Sequence, residues 1–546
     1  MLAQANPKRK DKHRVILIGL DSADPDLIQR WCREGRLPFL SALMQSGVYA
    51  RLQSTQGLFS DAPWLSFHTG VNPAKHGYYS YIQLKRGTTD FIKVNARSCR
   101  YFPFWWLLRA AGKKVAVFDV PKTYPIEGID GVQISAWGEH YPILRQCSLP
   151  PALIEELAAR FGKYRQLREI TIAKSVSQEL QVYHTLQANI EKKVGALRFL
   201  LAQDDWDLFV AVFGESHWAG HQFFHHFDRN HWAHHSGNAS ELPEALPNIY
   251  TEIDACLAGL VEGVADTTIV IFSVHGIATN FSGNHLLPGL LERLGFQASP
   301  AQKSGVGRSV QVLNKTRGLR DWIPGPLREF VNNHIMPQSF HDNVFFRNYS
   351  SGIDWKATKA FVLPKSFFEG FVSVNLRGRE PWGVVEPGRE YEEICRQLRD
   401  ELMCLLNPAT GRPAVHNVVQ IAHVYEGDQL YSLPDLVIQW AENGPIDEVY
   451  HAKLGLISER DPERRKSRHS NDGFMIAAGK YIQKTAPLAG ASTMDLAPTL
   501  LYLMGQAIPN DMDGHVLLDM ITEDFKARHE LRYENRPLIV PHEMSL

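Results

Sequence analysis

The stretch HRVILIGLDSADPDLIQRWCREGRLPFLSALMQSG, residues 13–47, decides the fold. Val15 to Leu20 is an unbroken apolar run, the pattern of a central strand buried on both faces of a parallel sheet. A short polar turn follows, then an amphipathic helix. The unit recurs: KKVAVFDVP (113–121), WDLFVAVFG (206–214) and DTTIVIFSVHG (266–276) each follow a helix-like segment and end in a polar or glycine-containing turn. Repeated helix–strand units of this kind predict an α/β fold, with a doubly wound, mostly parallel central sheet and helices on both faces. Such sheets bind ligands at the carboxyl ends of their strands. Asp21, Glu215 to His221 and His275 all fall there.

Residues 286–350 interrupt the rhythm with mixed basic residues, Gly and Pro, and read as an inserted cap-like region serving as a lid or an oligomer contact. From Ile353 to Trp440 the chain shifts to strand–helix–strand units, and the sheet is expected to resume with FMIAAG (474–479). The expected organisation is a discontinuous main domain, 12–285 and 351–525, around the insertion at 286–350.

Lys and Arg number 58 against 59 Asp and Glu, a net charge of −1. That balance argues against a nucleic-acid groove or an anionic lipid surface as partner. A hydrophobic content of 44 % supports a large core and excludes a disordered chain. The N-terminal MLAQANPKRKDKH is basic with only six apolar residues after it, too few for a signal peptide, and no run reaches the ~18 apolar residues of a membrane span. The six cysteines are scattered without C-x-x-C, the pattern of reduced thiols, so the expected location is cytoplasmic.

Four clusters carry chemistry. Asp21 follows a buried strand, where a carboxylate serves equally as a metal ligand or as an N-cap. Ser60 opens SDAPWLSFHTGVNPAKHG (60–77); a serine at a helix start suits a nucleophile whose phosphate product must be held, although an N-cap is the commoner role. In GESHWAGHQFFHHF (214–227), His217 and His221 stand at i, i+4, so one helix face presents both imidazoles to an ion. The histidines from His225 to His235 have no such reading. His275 ends a strand and His469 precedes one; singly each reads as a structural histidine, but the convergence of these positions on one sheet edge points to a site. Phosphate-loop, dinucleotide, H-E-x-x-H and G-x-S-x-G motifs are all absent.

LIGLDSADPDLIQRW, FSDAPWLSFHTGVNPAKHG, ESHWAGH, FSVHG and RHSNDGFMIAAG, in this order, resemble the alkaline phosphatase superfamily, and most of all its type I phosphodiesterase/nucleotide pyrophosphatase branch. PFWWLLRAAGKKVAVFDVPKTYP (103–125) and MDLAPTLLYLMGQAIPNDMDGHVL (494–517) are similar too. The resemblance implies two divalent ions, with zinc expected and manganese or iron as alternatives. It also implies a Ser or Thr that attacks phosphorus to form a covalent phospho-enzyme, here Ser60. By motif, Asp21, Ser60 and His275 fall to one ion and His217, His221 and His469 to the other. Two positions depart from the pattern: His217 stands where the family has Asp, and Val274 where S-D-H-G has its Asp. The site is therefore short of two carboxylates. This favours a phosphate monoester dianion, or else weakens the second ion unless Glu215 or Asp24 fills the gap.

The expected function is metal-dependent hydrolysis of phosphate esters, of phosphodiester or nucleotide pyrophosphate type, on a small-molecule substrate. A phosphomonoesterase or phosphotransferase of the same superfamily, and a non-catalytic metal- or phosphate-binding homologue, are the alternatives. A sulfatase is disfavoured, because Ser60 is not followed by x-Pro-x-Arg. Tyr78, Tyr79, Tyr81 and Trp137 are candidates to stack a substrate ring, and Lys122, Arg377 and Arg379 to bind a distal phosphate.

Overall fold

The computed structural model describes residues 13–138, 145–165, 167, 175–234, 241–300, 349–364, 368–459 and 465–539. Its main sheet has eight strands: β1 (Arg14–Leu20), β2 (Val48–Gln53), β3 (Lys114–Phe118), β4 (Asp130–Ser135), β5 (Cys147–Leu149), β6 (Leu208–Phe213), β7 (Thr267–Ser273) and β8 (Asp472–Gly479). Their order is β2-β8-β7-β1-β6-β3-β4-β5. β1 pairs parallel with β6 and β7, and β3 parallel with β6 and β4. Antiparallel pairs lie toward the margins, β8 with β7 and β2, and β4 with β5. The sheet is thus mixed, with a parallel centre as expected.

β1 is central, which explains its unbroken apolar run. Ile16, Ile18 and Leu20 enter one core with Trp31, Phe223 and Tyr250, while Val15 and Leu17 enter the opposite core with Phe67, Phe104 and Leu500. The first face is covered by α1 (Pro25–Arg33), α2 (Pro38–Ser46), α4 (Val176–Gln203), α5 (Glu215–Phe227) and α6 (Leu242–Val261); the second by α3 (Ala62–Thr69) and α7 (Leu496–Leu503). Gly19 lets α3 approach: a Cβ there would lie 3.0 Å from Val212 and 3.2 Å from the Trp64 ring.

Residues 286–300, 349–364 and 368–458 build a second lobe. One antiparallel sheet is ordered Ala360–Val362, Gly370–Val374, Leu436–Trp440, Val415–Gln420, and another runs through Arg412–Pro413, Leu406–Asn407, Glu448–His451 and Gly455–Ser458. Leu287, Leu290 and Leu291 pack in this lobe's core against Val372, Ile394, Leu398 and Ile438. The start of the 286–350 insertion therefore belongs to the lobe, because its leucines have an apolar face to bury. The rest of it, 301–348, lies outside the described residues. A shared apolar cluster of Leu58, Ala62 and Tyr79 with Phe371 and Val437 clamps this lobe over the N-terminal end of α3. None of the described helices is long and apolar enough to cross a membrane.

Candidate active site

Asp21 follows β1 and is buried beneath α3 and α5. Its Oδ1 accepts from Trp64 Nε1 at 3.1 Å and lies 3.7 Å from His275 Nε2, while Oδ2 lies 3.3 Å from His217 Nδ1. Burial alone would raise the Asp21 pKa, but His217, through charge and hydrogen bond, and then His275 and Trp64 hold it below the ordinary aspartate value. The helix cap is supplied by Asp24, which accepts from the backbone of Asp26 and Leu27, so Asp21 is not an N-cap.

α5 starts directly after β6 and carries His217 and His221 on one face. The strand Gly276–Thr279 pairs antiparallel with Ser467–Ser470, placing Ile277 opposite His469. This hairpin-like pairing stacks the His275 and His469 rings, with centroids 4.1 Å apart. His221 Nε2 and His469 Nε2 face each other at 3.2 Å, and the ligand nitrogens of His217, His221 and His469 all lie within 4.8 Å of one another. A tetrahedral ion with nitrogens at about 2.1 Å sets them about 3.4 Å apart, so the three imidazoles suit a shared ion. Burial holds His275 down to about 4. Burial, then His217 and Arg465, holds His221 well below its ordinary value. Both are neutral at pH 7, the form that ligates.

Ser60 sits on the turn before α3. The capping position is Asp61, and Ser60 Oγ instead donates to the Glu369 carboxylate at 2.7 and 2.8 Å. Glu369, from the second lobe, is 2 % exposed, and burial pushes its carboxyl up to about 7 against the lowering effect of Ser60. Asp21, Ser60, His217, His275, Glu369 and His469 line one cavity, with Phe368 over the His221 ring.

Several expectations are redirected. Glu215 does not reach the cavity as a spare carboxylate, because Lys193 Nζ lies 3.0 Å from both Glu215 and Asp119 with all three side chains buried. Asp24 is committed to its cap. Val274 is buried in the apolar core on the α3 side, which leaves that position no polar role. Arg377 pairs with Glu386, and Arg379 with Asp435 and Glu380, inside the second lobe. Lys122 does line the cavity, 3.0 Å from Asp61, as do Tyr79 and Tyr81, whereas Tyr78 and Trp137 are core residues.

Sequence reasoning missed two residues. Glu369 is 309 positions from Ser60 and carries no local signal. Ser22 Oγ lies 2.8 Å from His217 Nδ1 and 3.3 Å from His275 Nδ1, and so orients both rings. Its left-handed backbone (φ 57°) just past a strand end was the available clue only in three dimensions.

The family model described as type I phosphodiesterase/nucleotide pyrophosphatase matches residues 15–446. No curated protein matches the chain. Among solved structures, phosphonoacetate hydrolase from Sinorhizobium meliloti 1021 in complex with phosphonoacetate is 14 % identical, covering 90 % of this chain and 95 % of its own, with a TM-score of 0.50. Murine ectonucleotide pyrophosphatase/phosphodiesterase 5 is 10 % identical, covering 93 % and 100 %, with a TM-score of 0.46.

Proposed function

The chain belongs to the type I phosphodiesterase/nucleotide pyrophosphatase family of phosphoester hydrolases, and from that premise we propose that it cleaves phosphate esters through a covalent phosphoserine at Ser60. The observation that carries this reading is the half-buried Ser60 hydroxyl, hydrogen-bonded to the buried Glu369 carboxylate in a cavity lined by Asp21, His217, His275 and His469.

Glu369 accepts the Ser60 proton as Oγ attacks phosphorus in line, and the leaving oxygen departs opposite the new bond. Glu369 releases that proton through solvent to the departing oxygen. Water then attacks the phosphoserine and gives a proton to Glu369, which returns it to the Ser60 Oγ as that oxygen leaves. A base that titrates near 7 is matched to this exchange at neutral pH. Asp21 and Ser22 orient His217, and Ser22 also His275. Divalent ions held by His217, His221 and His469, and by Asp21, His275 and Ser60, would supply Lewis-acid polarisation of the phosphoryl and leaving oxygens. Nitrogen-rich donors suit zinc first, with manganese and iron accommodated less well.

Glu369 returns one carboxylate to a site that lacks the two expected from its relatives' motifs. This supports the phosphodiester or pyrophosphate reading over a monoester dianion. A small-molecule ester suits the partly open cavity. The six free cysteines support a reducing, cytoplasmic setting.

The test compares bis-p-nitrophenyl phosphate with p-nitrophenyl phosphate, with and without chelator, in the parent and in Ser60→Ala. The expected result is chelator-sensitive turnover with diester preferred, and loss of about 10³-fold or more in Ser60→Ala. Retention of most activity by that variant removes Ser60 as the nucleophile, and a monoester preference reverses the substrate assignment.

A further inference from the structure

α5 runs past the candidate active site, and its last turn meets α4 in a second cluster. His225 is 1 % exposed and Glu179 5 % exposed. His226 Nε2 lies 3.0 Å from Glu179 Oε2, and His225 Nε2 lies 3.8 Å from Glu179 Oε1. The ligand atoms of Glu179, His225 and His226 fall within 4.8 Å of one another. Lys466 Nζ is placed among them, 2.8 Å from His225 Nε2 and 3.8 Å from Glu179 Oε1.

We propose that Glu179, His225 and His226 form a binding site for a divalent transition-metal ion of the zinc class, and that the Lys466 ammonium is a tethered cation holding the seat until the ion displaces it.

Three features support this. Separations of 3.0 and 3.8 Å bracket the roughly 3.4 Å edge of a tetrahedral zinc shell. Two imidazoles and one carboxylate form a borderline donor set that favours zinc over magnesium or calcium. Gln222 Nε2, 3.4 Å from Glu179 Oε1, orients the carboxylate from the next shell. Lys466 is easily displaced, because its side chain is 25 % exposed and reaches the cluster on a flexible stem. The site shares no ligand with the phosphoester cavity. Lys466 nevertheless lies three residues before His469, and α5 carries His217 and His221, so an ion here would brace the two elements that deliver the active-site imidazoles.

The test uses the full chain, stripped with chelator, reloaded with zinc chloride and desalted, with zinc per protein read by mass spectrometry. Glu179→Gln combined with His226→Asn is expected to hold one equivalent fewer than the parent. Adding His221→Ala to the double variant is expected to remove a further equivalent, whereas the double variant alone keeps chelator-sensitive phosphoesterase activity, so failure here is distinguishable from failure of the catalytic reading. Lys466→Met, read by competition with a chromogenic chelator, is expected to bind zinc about tenfold more tightly at this site. The Lys466→Met measurement stands even where the double variant folds poorly. Equal zinc content in the double variant and the parent, or unaltered zinc affinity in Lys466→Met, overturns the proposal and leaves the cluster a structural ion-pair network.

Discussion

The two ends of α5 present the same side chain to different surroundings. At the N-terminal end, His217 and His221 face a third imidazole, His469, and the nearest carboxylate, Asp21, sits to one side on His217 Nδ1. At the C-terminal end, His225 and His226 face the Glu179 carboxylate, and a lysine ammonium is already in place. One helical stripe thus serves an electrically open cluster and a charge-compensated one. The difference comes from what packs against the helix: sheet edges and the second lobe at one end, a neighbouring helix at the other. Histidine count alone therefore says little about which cluster turns over substrate.

The sharpest way to break this contrast is His221→Ala. It is expected to lower kcat/KM by about 10³-fold, roughly 4 kcal/mol of transition-state stabilisation, and to remove one metal equivalent. Near-parental kinetics would make the N-terminal end no more catalytic than the other.

Next is Glu369→Gln, expected to cost about 10²–10³-fold in kcat. Glu369 must be deprotonated to accept the Ser60 proton, so parental activity falls as pH drops through about 7, and the variant loses that limb. A pH–rate profile unchanged in shape would leave Glu369 a hydrogen-bond acceptor only.

Lys193→Met addresses the root of α5. It strips the cation from buried Glu215 and Asp119 and should destabilise the fold by about 3–5 kcal/mol, measured by denaturant unfolding. A loss below about 1 kcal/mol would mean that the buried ion pairs of Lys193 do not hold the root of α5 in place.

The smallest effect concerns the neutral histidines. Burial lowers His13 and His275 to about 4 and His68 and His76 to about 3. The unfolded chain titrates them near 6.5, so stability is fully present above that pH and is lost as pH falls toward 4 and 3. Raised carboxyls, among them Glu369 at about 7 and Asp24 at about 6, act in the opposite direction and offset part of this loss, while Asp21 and Asp435, held below the ordinary aspartate value, add to it. Tm of the metal-free protein should therefore drop by a few degrees from about pH 7.5 to about pH 5. A flat or rising Tm would show that the histidines are charged in the native state.

Much of this was legible in the chain. The apolar run Val15–Leu20 and its three repeats specified a sheet buried on both faces, because only a strand covered on two sides is apolar at every position. The i, i+4 spacing of His217 and His221 specified a shared helix face. Asp21, Ser60, His275 and His469 were placed at strand ends and turns by local pattern. The grouping of residues 286–299 with the second lobe was not legible, since a leucine-rich helix reads alike as lid or core until its apolar partners are known.

The sequence by itself determined which elements form and which donors they carry, because periodicity, turn chemistry and side-chain type are local properties. Tertiary structure alone decided where charge resides. Glu369 was brought 309 residues back to Ser60, Glu215 was drawn away to Lys193, and Lys466 was seated among Glu179, His225 and His226. Those outcomes depend on which buried groups meet across lobes and helices. In a low-dielectric interior the partner, not the residue, fixes the protonation and the role.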